Sequence, residues 1–210
     1  MPTYDQRRRL GEAVQTAERK YELAKSSAKR TGRPTPIRHK CFISYHGADI
    51  EGVTDFVEDF NEVFIPRVVG VSDSDHFKDP VTSQDEEYIK SQIGTKYLSD
   101  STVTILYVGK CTWARRYVDW ELSSSLRNSK LNKRNGLLAI TPADRSTGRL
   151  PERFSDNWTK GNTGYARYYY YPRRDSSLRD WIEDAFEARK TRMGLIDNRR
   201  RLRQRNSRCP

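Results

Sequence analysis

Histidine and cysteine are scarce in this chain, and their scarcity excludes whole classes of chemistry. Only His39, His46 and His76 occur, and none lies three or four residues from another, so no helical pair offers itself to a metal. Cys41, Cys111 and Cys209 form an odd set without CxxC or Cys/His spacing. Neither a disulfide framework nor a zinc site is expected from them, and a reducing interior suits them best. Long apolar runs are missing too. Nothing approaches the roughly 20 residues of a membrane span, and the start, MPTYDQRRRL, has no apolar signal core, so a cytoplasmic protein without membrane contact is expected. A phosphate-cradling loop is also lacking, since SYHGADIEG fits neither GxxxxGK[ST] nor GxGxxG. The serines at 123–125 have no GxSxG elbow around them.

The charge is plentiful but unevenly placed. Residues 1–40 hold 11 basic side chains against 4 acidic, and 189–210 hold 9 against 1, while 41–188 hold 19 against 23. The formal net charge of +11 therefore belongs to two tails around a mildly acidic body. Such tails usually stay solvated, or bind polyanions or an acidic partner. Nucleic acid is not the expected partner, because charge runs specify partners poorly. The acids of the second loop, Asp73, Asp75, Asp79 and Asp85 to Glu87, lack EF-hand spacing, and no metal is expected there.

From Leu10, the residues Leu10, Val14, Ala17, Tyr21, Ala24 and Ala28 recur at alternating steps of four and three. This predicts a helix of about 25 residues that packs on its own domain or mediates self-association. TGRPTPIR then ends it. Further on, β-rich runs at 41–45, 67–72, 102–109, 136–142 and 166–172 alternate with amphipathic segments near 53–64, 85–98, 116–129 and 176–190. The step from 143 to 165 reads as a long loop. Nearly continuous apolar strands between helices predict an α/β fold: a five-stranded parallel sheet covered on both faces, in flavodoxin-like order. The chain divides into a helical extension and linker (1–37), the α/β domain (38–190) and a basic tail (191–210).

Ligands in such sheets bind at the carboxyl ends of the strands, where strand order reverses. The loop after the third strand gathers Trp113, Arg115, Arg116, Tyr117, Asp119, Trp120 and Glu121 within nine residues. Tyr117, Trp120 and Glu121 share a helix face. Rings that stack on bases, a guanidinium for phosphate and a carboxylate for ribose would suit a nucleotide. The same residues also fit a structural account, with Trp120 in the core, Asp119 at the helix start and Glu121 paired with Arg115 or Arg116.

CFISYHG (41–47), DSTVTILYVG (100–109) and TWARRYVDWE (112–121) resemble the TIR-like domain of Thoeris antiphage defence proteins, over roughly residues 41–185. The resemblance implies a flavodoxin-like TIR fold whose enzymatic members cleave NAD with a glutamate on the helix after the third strand, the position of Glu121. It implies an NAD glycohydrolase or ADP-ribosyl cyclase that makes a cyclic or rearranged ADP-ribose signal, read by a separate effector protein. NAD is then the substrate, and no other cofactor is called for. Trp113, Tyr117 and Trp120 would wall the site, Arg116 would pair with phosphate, and Ser44, Tyr45 and His46, ending the first strand, would contact ribose or phosphate. Other TIR domains are non-catalytic scaffolds, so an adaptor working through TIR–TIR contacts or the N-terminal helix stands as the alternative.

Overall fold

The computed structural model describes residues 2–35, 37–69, 98–128 and 133–209. Its first element is the helix α1 (Tyr4–Thr31). Thr3 and Gln6 close a reciprocal capping box at its start, and Gly32, in the left-handed conformation, ends it by donating its N–H to the Ala28 carbonyl. Leu10, Ala13 and Ala17 are buried, and their small side chains let α1 lie close against α2 (Ile50–Asp59) and β2 (Ile65–Arg67). The predicted stripe thus packs on its own domain. Arg9 pairs with Asp55 and Glu58, Lys20 with Glu62, and Arg67 with Glu18. Each exposed pair is worth little alone. Together they set the basic helix on the acidic body.

Five parallel strands form one sheet in the order β2-β1-β3-β4-β5, with β1 at Lys40–Ser44, β3 at Val103–Tyr107, β4 at Gly136–Ile140 and β5 at Arg167–Tyr169. This is the flavodoxin-like order expected, and it reverses between β1 and β3. Successive residues point to opposite faces. Ile43, Ile105 and Leu138 join α2 and α5 (Asp175–Thr191) in one core, while Leu106, Leu137 and Ala139 meet Val118 and Leu122 of α3 (Arg116–Leu126) in the other. A short helix α4 (Glu152–Asn157) lies inside the stretch read as loop. Six residues with a proline before them carry too little periodicity to reveal a helix. The second strand lies earlier than its β-rich run and meets it only at Arg67; residues 70–72 of that run lie outside the described residues. The segment expected to be helical at 85–98, and the acids from Asp73 to Glu87, lie almost wholly outside the described residues.

Two expectations about the C-terminal region need correcting. The basic tail is docked and not free: after α5 it returns across α3 and α4, with many of its side chains still exposed. Arg200 pairs with Asp156 and Glu152, Trp120 Nε1 donates to the Arg203 carbonyl, and Ser207 N donates to the Ala114 carbonyl. Counting charge by segment had separated the tail from the acids that hold it. The cysteines, for their part, are not all free. Cys111 and Cys209 form a disulfide across 98 positions, their Cα atoms 5.7 Å apart. Spacing along the chain does not reveal a pair so distant; the docking of the tail creates it. Cys41 remains a buried thiol, its ionisation opposed by desolvation. Closing so long a loop stabilises mainly by restricting the unfolded chain. Reduction, or Cys209→Ser, is expected to cost about 2–4 kcal/mol, read as a lower melting temperature than that of the oxidised protein.

Candidate active site

The third strand ends at Tyr107 and the chain turns through Thr112–Ala114 before α3 begins. A Cβ at Gly109 in that turn would displace the Asp49 carboxylate, which comes from the loop after β1. Thr112 Oγ1 accepts from the Gly109 N–H at 3.0 Å and donates to Asp49 Oδ2 at 3.2 Å, so the two loops are joined at the point where strand order reverses. Burial raises the Asp49 carboxyl, against the opposing pull of Thr112 and Arg115.

Helix α3 is fixed to the sheet by apolar and polar contacts together. Val118, Leu122 and Leu126 pack into one core, and Trp120 packs with Phe42 and Leu98. Below them Ser125 shares a 2.7 Å hydrogen bond with Thr104 of β3, and Asn135 donates to Ser101 and Thr104. The serine run therefore has a structural use at Ser125.

This anchoring aims Glu121 at the end of β1. Ser44 Oγ donates to Glu121 Oε2 at 2.6 Å, the only side-chain hydrogen bond the carboxylate receives among the described residues. Glu121 keeps 9 % of its surface exposed, and among the described residues no cation lies beside it. Desolvation pushes its carboxyl up to about 8, and the Ser44 bond only partly opposes this. The surface pairing with Arg115 or Arg116 considered from sequence does not occur.

The other expected residues divide. Ser44 is buried beside Glu121; Tyr45 and His46 follow it at the strand end, half-buried, and burial lowers the His46 imidazole with help from Arg115. Tyr117 meets Trp120 edge-on at 5.3 Å, and Arg116 lies over both rings and donates to the Tyr117 hydroxyl. Trp120 must be corrected as a substrate contact. It has no exposed surface, and its indole N–H is used on the tail, so it is core. Trp113 lies under Arg149 at 4.5 Å. Asp49 and Thr112 were missed; the loop after strand one was the only signal for Asp49.

A parallel sheet in this order, with a desolvated carboxylate and a serine at its switch point, defines the class: an α/β domain of the flavodoxin-like, TIR-like kind. The chain belongs to the Thoeris ThsB family, whose TIR-like domain model matches residues 42–147, and so to a family of antiphage defence. A comparison with curated proteins returned no match. Among the described residues no helix is long and apolar enough to cross a membrane.

Proposed function

We propose that this protein cleaves the bond between nicotinamide and ribose in NAD and converts the rest into a cyclic or rearranged ADP-ribose that a separate effector reads. One observation carries the reading: a desolvated carboxylate, Glu121, held by Ser44 at the point where strand order reverses. As the C1′–N bond breaks, its electron pair leaves with the ring nitrogen, the pyridinium becomes neutral nicotinamide, and positive charge moves onto the ribose. A carboxylate in a dry setting stabilises that charge more in the transition state than in the ground state. Nicotinamide departs neutral and needs no general acid. Attack by water gives ADP-ribose and attack by an oxygen or nitrogen of the same nucleotide gives a ring; either releases one proton, which a carboxylate with so raised a pKa accepts readily.

The pH dependence follows. In the free enzyme the active form is the ionised one, so kcat/KM should rise with pH and level off above about 8. Bound NAD brings a pyridinium cation toward the carboxylate, so the corresponding rise in kcat should fall at lower pH. Matching profiles for kcat and kcat/KM, flat from pH 6 to 9, would count against Glu121 as the titrating group. The reading as a whole is tested by chromatography of nicotinamide released from NAD, with infected-cell extract added as trigger. Release that Glu121→Gln abolishes supports it. No nucleotide product from the triggered wild type, with partner binding unchanged in Glu121→Gln, would favour the adaptor.

A further inference from the structure

On the far side of α3 from Ser44 lies a cavity of about 600 Å³, lined by Trp113, Arg115, Arg149, Arg200, Arg201 and Arg203, with Asp119 and Glu152 as its acids. Its volume lies within the usual range for small-molecule sites. Glu121 does not line it: Asp119 does, two residues earlier and so about 200° around the helix, with the wholly buried Trp120 between them. Much of the wall comes from Arg149 onward and from the returning tail, beyond the segment that matches the family.

The acids in this cavity are already committed. Asp119 accepts from Arg153 Nε and Nη2 and from the Arg203 N–H, and Glu152 faces Arg200 and Arg203. Arg200 is also held by both oxygens of Asp156. Arg115, Arg149 and Arg201 have no carboxylate within ion-pair distance among the described residues, and Arg115 Nε is buried without a hydrogen-bond partner. Arg115, Arg149 and Arg201 gather positive charge around one cavity, of which Asp49 draws only on Arg115, so a multiply charged anion between them is attracted by all three. Guanidinium forks fit phosphate oxygens two at a time.

We infer that the cavity formed by Arg115, Arg149, Arg201 and the docked tail is a second ligand site, which takes a phosphate-bearing small molecule of nucleotide size. The pyrophosphate group is the shared chemistry, and it can come from a nucleotide or from free pyrophosphate. The site stands apart from the NAD crevice and does not depend on NAD cleavage.

Calorimetric titration of the full oxidised chain with ADP, pyrophosphate and sulfate at physiological salt tests it. Saturable binding of ADP is expected, unchanged in Glu121→Gln and weakened at least tenfold in the Arg149→Ala/Arg201→Ala double variant. That variant should lose little of its melting temperature, because neither side chain holds an ion pair among the described residues and Arg149 gives up only its contact with the Trp113 ring. Pyrophosphate matching ADP would assign recognition to the phosphates alone, and tighter ADP binding would add its nucleoside; either supports the site. The inference falls if neither binds, if sulfate binds as well as pyrophosphate, or if the double variant binds ADP like the wild type.

Discussion

Glutamine at position 121 should lower nicotinamide release by about a thousandfold while raising the melting temperature at pH 8. The two effects have one cause. A buried carboxylate that has, among the described residues, a single hydroxyl donor and no cation beside it costs stability whenever it is ionised, because water has been removed and no charge replaces it. In the proposed reaction the ionised form is the one that faces a ribose cation, so the site would hold that carboxylate at the expense of the fold. Glutamine keeps the shape and can still accept from Ser44, but it carries no charge. The sign of the linkage is definite. The folded-state pKa of about 8 lies above the ordinary glutamate value of 4.5, so the folded protein holds an extra proton between them. Stability from this group is therefore fully present below about pH 4.5, declines as pH rises, and is lost above about 8. Melting curves of wild type and Glu121→Gln should separate over that window, with the variant the more stable at the alkaline end. A variant of full activity would remove Glu121 from the chemistry. A variant less stable than the wild type at pH 8 would show that the carboxylate has a compensating partner.

Four of the strands and their alternation with helices were readable from the chain because each rests on a local pattern, and Glu121 stood out for the same reason. Apolar runs of five residues alternate with helical stripes, and TWARRYVDWE places two acids, Asp119 and Glu121, on either side of Trp120 directly after the most apolar strand. What could not be read is what the fold brings together from a distance. Ser44 meets Glu121 across 77 positions, Thr112 meets Asp49 across 63, and Cys111 meets Cys209 across 98. Trp120 shows the limit most clearly. Its spacing puts it on the same face as Tyr117, yet a tail more than 80 residues later covers it and takes its N–H. The tail itself looked like solvated charge because the acids that receive it, Asp119, Glu152 and Asp156, were counted with the body. In the fold they are its docking points, and opposite charge in different segments becomes an internal interface.

That interface turns on Arg153, and Arg153→Ala should destabilise the protein by about 3–5 kcal/mol, lowering the melting temperature on the order of 10 °C. The side chain has no exposed surface, and Asp119 is nearly as buried. Arg153 forks onto both oxygens of Asp119, at 2.8 and 3.2 Å, and also donates to Asn198 Oδ1 and to the carbonyls of Arg200 and Arg201. Its removal strands a carboxylate that then has only the Arg203 N–H, and it leaves two tail carbonyls without their donor. Burying a pair contributes little net stability, but breaking one does not return the cost of desolvation. The double variant Arg153→Met/Asp119→Leu, which removes both charges together, should therefore recover most of the loss. The tail should respond separately. In Arg153→Ala, trypsin should cut among Arg199 to Arg205 much faster than in the wild type under conditions where α5 resists, since Arg153 holds this segment against α3 and α4. If the single variant melts like the wild type and its tail stays protected, the disulfide and Trp120 hold the tail without Arg153. If the double variant is as unstable as the single one, the loss comes from packing volume and not from a stranded charge.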